Sequence, residues 1–445
     1  MTRRALFVIA LFILSLFGSL VTGRELLYSL TYFLGGLIFI SFIWAKTTLR
    51  GIELERYRRS NRAQVGQIFM ERFRLRNRSR ISKLWTEASD SSELPGYKIA
   101  GVTSRMNMGL REEEAAHRAV NVTVGIGSGQ IRTWLVRTLC TRRGQYRLGP
   151  MTIRSADPFG IFPQEMSISS DQNLVVLPLT VQIPEFPLPS GRLPGGESLR
   201  RRTHQITPNA SGVREYVPGD SLSRIHWPST ARRRRLIVKE FELDPLAEIW
   251  IVLDAAREIQ RKLSDEPERE GDGFMDGFQF KLPPSTEEYS ISAAASLALH
   301  FLQLDRAVGL IAYGNSRLVM QPETGESQRY RLMESLAVFE STGELTIEEV
   351  LKVEGPQIPR GSTVIVITPS LDTTMLGAVR RLSYTGCQPV LVQHDLESFG
   401  GAPGTHAIAG AAERSGIPVR IMRKGEPLEV SLGTTGARGK IRVAA

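Results

Sequence analysis

Asp254 closes the apolar run AEIWIVLD, and Thr368, Ser370 and Asp372 follow one another at alternate positions where a second run, STVIVITPS, ends. Carboxylates and hydroxyls gathered at strand ends are the oxygen ligands that a hard cation such as magnesium takes. Nucleophilic chemistry has no comparable set. A triad needs a nucleophile, an imidazole base and an acid that orients it. No GxSxG, HExxH, P-loop lysine motif or paired-carboxylate pattern occurs. His226 stands alone in a polar segment, and His117, His204, His300, His394 and His406 are isolated. Cys140 and Cys387 are far apart and form no CxxC, so neither a disulfide framework nor a zinc site is indicated. GIGSGQ (125–130) superficially matches a phosphate-cradling loop, but no Lys-Ser/Thr follows and its context is that of a hairpin loop. The expectation is a protein that is not an enzyme. It needs no cofactor, unless magnesium sits at Asp254, Thr368 and Asp372.

The second polar constellation is GVREYVPGDSLSRIHWPSTARRRRLIVKEFE, residues 212–242. Pro218 and Gly219 suit a type II turn, and Asp220 suits the cap of a short helix that Pro228 ends. Arg214 with Glu215, Asp220 with Arg224, and Lys239 with Glu240 are opposite in sign. With Tyr216, Trp227 and Arg232 they read as an ion-paired connector whose tryptophan a junction would bury. Two other readings stand beside it. One is a docking surface for an acidic partner. The other is nucleic-acid binding through Arg232–Arg235 and Arg200–Arg202, with sparse interleaved aromatics and no recognised nucleic-acid fold beside them.

These residues need elements to hold them. AEIWIVLD, AVGLIAYG, STVIVITPS, QPVLVQHD and IPVRIM are apolar throughout. Helical stretches alternate with them: EEYSISAAASLALHFLQL, SQRYRLMESLAVFE, TTMLGAVRRLSYTG and GTHAIAGAAERSG. That alternation predicts a doubly wound parallel sheet, whose ligands lie beyond the carboxyl ends of its strands. Residues 261–286 are charged and rich in Gly and Pro, and read as a mobile insertion. Upstream, period-two stretches broken by glycine and proline, DPFG (157–160) among them, predict a small antiparallel β-sandwich domain. The expected organisation is a hairpin over 1–50, a β-rich domain over 51–195, a connector over 196–246 and an α/β domain over 247–445.

The amino terminus carries ALFVIALFILSLFGSLVTG (5–23) and LLYSLTYFLGGLIFISFIWA (26–45), with only Arg24 and Glu25 charged between them. Each approaches the roughly 20 apolar residues that a membrane-crossing helix needs. Arg3 and Arg4 before the pair, and Lys46, Arg50, Arg56, Arg58, Arg59 and Arg62 after it, place both flanks on the cytoplasmic side. Tyr28 and Trp44 fit the interfaces. A cleaved signal peptide is the alternative for the first run alone. The expectation is a multi-pass protein of the cell membrane with its amino terminus and C-terminal domains cytoplasmic. A net charge of +10 suits an acidic protein, an anionic membrane face or nucleic acid.

RRGQYRLGP…DPFG followed by the 212–242 segment resembles the bacterial family catalogued as domain of unknown function 58, and the resemblance runs over the whole chain. It implies a membrane hairpin, a β domain and a von Willebrand factor A-like domain. It also implies a MoxR-type AAA+ ATPase as partner, in envelope-related assembly or chaperone-like work. Such domains often carry a metal-dependent adhesion site opening with Asp-x-Ser-x-Ser. Here the loop is Asp254-Ala255-Ala256-Arg257-Glu258, and Thr346 is the loosely placed later threonine. Two hydroxyls are missing and a guanidinium is added, so the resemblance implies a degenerate site. The alternative for Asp254 is a helix cap or a salt bridge with Arg257.

Overall fold

The computed structural model of the chain describes residues 3–90, 92, 94, 96–98, 120–169, 172–186, 210–216, 225–241, 248–263 and 281–433. Asp220, Arg224, the Pro218–Gly219 turn, Arg200–Arg202 and the interior of the 261–286 insertion lie outside them. The described residues form two compact units. One comprises Met1–Thr180, Lys262–Ala295 and Met333–Phe339, the other Val181–Arg261, Ser296–Leu332 and Glu340–Ala445.

The first unit opens with two apolar helices, α1 (Arg3–Thr22) and α2 (Glu25–Thr48), both long and apolar enough to cross a membrane. Small and polar side chains let them approach. Ser15 and Thr31 share a hydrogen bond of 2.9 Å, and Gly35 lies so close to the Phe12 ring that an added Cβ would stand 3.2 Å from it. Eleven strands follow. They are β1 (Ile52–Arg58), β2 (Arg62–Gln64), β3 (Ile68–Asn77), β4 (Lys83–Asp90), β5 (Gly96–Lys98), β6 (Val120–Ile126), β7 (Ile131–Cys140), β8 (Gly144–Leu148), β9 (Met151–Ser155), β10 (Gln164–Ile168) and β11 (Gln172–Leu177). They pair as β1-β3-β7-β5, β10-β9-β4-β6 and β2-β11-β8. The first two sheets are antiparallel, and the third is mixed because β2 runs parallel to β11. Alternation sets their inner faces: Phe69, Glu71, Phe73, Leu75 and Asn77 point inward along β3. Ile52, Leu54, Phe73, Leu75, Ala88, Ile126, Val136, Met151 and Ile153 join the two four-stranded sheets in one core. GIGSGQ does not close a hairpin. β6 and β7 belong to different sheets, so the stretch carries the chain across that core.

In the second unit, β12 (Ala210–Glu215) and β13 (Ile237–Phe241) form an antiparallel pair, with α3 (Trp227–Arg233) between them in sequence. Pro228 begins this helix rather than ending one. A first-turn proline lacks only an N–H that no intrahelical carbonyl would accept. The remaining elements are β14 (Ile249–Leu253), α4 (Thr286–Gln303), β15 (Val308–Tyr313), β16 (Arg317–Glu323), α5 (Gly325–Val338), α6 (Ile347–Glu354), β17 (Thr363–Thr368), α7 (Thr373–Tyr384), β18 (Gln388–His394), α8 (Thr405–Arg414), β19 (Val419–Met422) and α9 (Leu428–Leu432). α4 and α5 run from one unit into the other. The six strands form a mixed sheet in the order β16-β15-β14-β17-β18-β19, with β16 antiparallel. The expectation of an all-parallel sheet is corrected at that edge. Trp250, Val252, Val364, Val366 and Leu391 pack with α6, α7 and α8 on one face. Ile249, Ile251, Leu253, Ile365 and Ile367 are buried on the other. Strands buried on both faces have no polar positions left to alternate, which is why these runs are apolar throughout.

Candidate functional site

Strand order reverses at β14, since β15 pairs on one side of it and β17 on the other. The loops leaving β14 and β17 therefore diverge, and the crevice between them is where such sheets hold ligands. Asp254 and Thr368 are the residues that meet there. The Thr368 hydroxyl donates to Asp254 Oδ2 at 2.5 Å, and the Ala256 N–H donates to Oδ1 at 3.3 Å. Asp254 is 2% exposed and Thr368 fully buried. Burial pushes the Asp254 carboxyl up to about 6, against the two hydrogen bonds that favour its charge. Neither structural role expected for Asp254 is met. It caps no helix, and the bonds just named, not an ion pair with the exposed Arg257, hold it.

After Thr368 the loop is tied by its own side chains. Thr368 Oγ1 accepts from the Ser370 N–H (2.9 Å), Ser370 Oγ from the Asp372 N–H (3.1 Å), and Asp372 Oδ1 from the Thr374 N–H (2.9 Å). Asp372 is the N-cap of α7, and the Thr374 backbone and hydroxyl hold its carboxyl below the ordinary carboxylate range. Gln393 Nε2 donates to the Ser370 carbonyl at 2.7 Å. The structure thus brings Asp254 and Thr368 together and sends Asp372 to a helix cap. Thr346 is the N-cap of α6, in a capping box with Glu349. Magnesium takes six oxygens, several of them usually water, and one or two carboxylates. The Thr368 proton is directed at Asp254, and Asp372 and Thr346 are engaged as caps. Among the described residues no three His, Cys, Asp or Glu side chains cluster.

The opposite wall is fixed by backbone. Gly343 N–H donates to the Ala255 carbonyl at 2.9 Å, and Arg257 N–H to the Gly343 carbonyl at 2.8 Å. A Cβ on Gly343 would collide with the Tyr313 carbonyl oxygen. Gly343→Ala must therefore push this loop off Asp254. Thermal unfolding of the full chain in detergent should show a loss of about 1–3 kcal/mol, and an unchanged Tm would show that the loop is not held this closely.

The other sequence-derived residues lie on the β12–β13 pair and α3. The Tyr216 N–H donates to the Leu236 carbonyl (2.9 Å), and Thr230 Oγ1 accepts from the Ile237 N–H (3.0 Å). Glu215 forms an ion pair with Arg235 at 2.9 Å across the pair, both exposed. The side chain of its expected partner, Arg214, lies outside the described residues. Trp227 is not buried, as a junction residue would be, but 65% exposed, because α3 buries none of its residues. Arg232, Arg233 and Arg234 are exposed beside it, with no carboxylate partner among the described residues. Arg234 ends the helix in the left-handed region (φ 55°), which turns the chain back into β13.

Residues 212–269 match the family model described as "Protein of unknown function DUF58". The chain carries a DUF58 region. That region contains β12 from Gly212 onward, α3, β13, β14 and Asp254, so the exposed tryptophan–arginine helix and the buried carboxylate fall within one segment. Over 239 residues the chain is 22% identical to the uncharacterized protein YeaD of Bacillus subtilis (strain 168), covering 53% of this chain and 52% of that one. It thus spans about half the length of the curated relative it matches. Among solved structures, the CARDB domain of a Pyrococcus furiosus protein is similar at 11% identity, with 28% of this chain and 87% of that one covered and a TM-score of 0.18. A PapD-like domain of human CEP192 is similar at 15% identity, with 28% and 83% covered and a TM-score of 0.18. Likenesses at such scores decide nothing about the DUF58 region.

Proposed function

We propose that the chain is a membrane-anchored, non-enzymatic adaptor whose DUF58 region docks an acidic face of a MoxR-type AAA+ ATPase. In this reading α1 and α2 cross the membrane twice, with the amino terminus and the rest of the chain cytoplasmic. The six-stranded mixed sheet is a von Willebrand factor A-like domain that works without a metal. One observation carries it. Trp227 is exposed on a helix with no buried residue, flanked by Arg232, Arg233 and Arg234. A large rigid aromatic beside guanidiniums that have no carboxylate partner among the described residues is the composition of a binding hot spot, and the charge selects an acidic partner. The ATPase as partner, and envelope assembly or chaperone-like work as the setting, come from the family resemblance.

The test is co-purification from detergent-solubilised membranes. Full-length chain should retain an AAA+ ATPase, and Trp227→Ala with Arg232→Glu and Arg233→Glu should lose it at least tenfold, with an unchanged circular dichroism spectrum. Wild-type chain that retains no ATPase would sink the proposal. A second reading, a magnesium-dependent adhesion module, draws only on Asp254 meeting Thr368 at the switch point of the sheet.

A further inference from the structure

The foot of the helical hairpin is joined firmly to the β strands that follow it. Lys83 Nζ, buried on β4, donates to the Thr47 carbonyl in the last turn of α2 at 2.7 Å. Thr48 and Ser155 share a hydrogen bond of 2.9 Å, and Phe42 meets Phe162 edge to face at 6.0 Å. A cation against a helix carboxyl end adds favourable charge to this contact. The DPFG turn lies beside it. Its buried Asp157 accepts from the Phe159 N–H (3.1 Å) and the Phe162 N–H (2.7 Å), so the carboxylate shapes the turn from within.

The turn faces the start of α1 across an open groove of about 440 Å³, lined by Arg3, Arg4, Phe7, Val8, Leu37, Phe159 and Ile161. Arg4 lies against Gly160, where an added Cβ would stand 3.3 Å from its Nη1. Neither arginine is paired with a carboxylate among the described residues, and both are exposed. Phe7 and Phe159 are also exposed. Two cations at the end of an apolar trough, beside helices long enough to span a bilayer, call for one kind of occupant. Its head must be anionic and its body apolar. Guanidinium forks match phosphodiester oxygens, and basic pockets against membrane helices on the cytoplasmic side suit acidic lipid headgroups. A free phosphate would gain nothing from the five apolar residues that make up most of the lining.

We propose that this groove binds one acidic phospholipid of the membrane, with its phosphate at Arg3 and Arg4 and an acyl chain along Phe7, Val8 and Leu37. The inference rests on the reading that α1 and α2 lie in the membrane. Phe159 closes the groove from the DPFG turn, so that turn acts as a lipid-facing wall of the β-rich unit.

Native mass spectrometry of the full chain, stripped of lipid in detergent, tests it by titration with phosphatidylglycerol or phosphatidylcholine of the same acyl chains. The first phosphatidylglycerol should bind roughly tenfold more tightly than phosphatidylcholine. Arg3→Gln with Arg4→Gln should abolish that preference, and Arg3→Lys with Arg4→Lys should keep part of it. Phe159→Ser should weaken both lipids while leaving the charge in place. Equal retention of the two lipids, an unchanged preference in the double glutamine variant, or displacement of phosphatidylglycerol by millimolar inorganic phosphate would each overturn the proposal. Carbonate extraction of the chain from vesicles separates the two levels. Chain released at high pH overturns membrane insertion and the lipid site together, whereas inserted chain without lipid preference overturns only the site.

Discussion

Replacing Arg56 by methionine is expected to destabilise the β-rich unit by about 3–5 kcal/mol. Arg56 projects inward from β1 and links the two four-stranded sheets. Its Nε lies 3.5 Å from Glu71 on β3, and its Nη2 bonds Asp90 on β4. All three side chains are shielded from water, at 0%, 0% and 2% exposure. The guanidinium also lies 5.2 Å from the centre of the Phe73 ring, which stacks on Trp134. Methionine conserves the apolar stem but leaves two buried carboxylates without the cation between them. Burial already raises the Asp90 carboxyl against the pull of Arg56, and burial lowers the Arg56 guanidinium itself. Without Arg56 the Asp90 carboxyl rises further. The sign follows from linkage: a folded-state value above the unfolded one gives stability that is present at low pH and lost as pH rises through the folded value. The deficit of the variant should therefore be greatest at pH 8 and shrink on acidification. Denaturant unfolding of the full chain in detergent, followed by tryptophan fluorescence, reads both effects. Adding Glu71→Gln and Asp90→Asn should recover most of the loss, since removing a whole buried ionic set costs far less than removing one member. A midpoint that barely moves at pH 8 would mean that water reaches the set.

This triad was legible in principle. Period two along β1 and β3 places Arg56 and Glu71 at the same inward positions as Leu54 and Phe73, so a charge on the core face was visible in the pattern. The partner on β4 was not, because the pairing of β4 with β9 and β6 depends on contacts distant in sequence. The apolar strands β14, β15, β17, β18 and β19 could be read directly, since burial on both faces leaves a run with no polar interruption. β16 escaped for the converse reason. It is an antiparallel edge strand, half-exposed and carrying Pro322, so neither composition nor alternation marks it. The helix α6 does have a signal, the Thr346…Glu349 capping box, but a threonine near strand ends is equally an oxygen ligand for a cation, so the sequence leaves both roles open to it. Asp254 and Thr368, 114 residues apart, could be associated because each ends such a run. The exposure of Trp227 could not be inferred, because a seven-residue helix does not declare which neighbours will cover it.

Asp254→Asn is expected to raise the stability of the folded chain at pH 8 by up to about 3 kcal/mol and to leave it nearly unchanged near pH 4. Burial holds this carboxyl at about 6 against an ordinary 3.8, and that difference corresponds to about 3 kcal/mol between the two ends of the range. Its folded value is the higher one, so its contribution is complete below pH 4 and disappears as pH rises through about 6. Asparagine cannot ionise. It can still accept from the Ala256 N–H, and its amide can donate to Thr368 Oγ1, whose second lone pair is open to it. Subtracting the variant's unfolding free energy from that of wild type at pH 4.5, 6 and 8 isolates this one group. A difference that stays flat with pH, or a variant less stable at pH 8, would show that the carboxylate is favourably held in its charged form. Magnesium supplies the discriminating arm. A cation bound to the ionised carboxylate would stabilise wild type at pH 8 as its concentration rises and would not stabilise the variant. Unmoved curves for both support an adaptor that works without a metal, whereas a rise confined to wild type would support the adhesion module. In either case the chain keeps at neutral pH a buried charge that a single nitrogen atom would remove. Partner capture by Asp254→Asn, measured beside its stability, then shows whether that charge serves docking or only the loop that holds it.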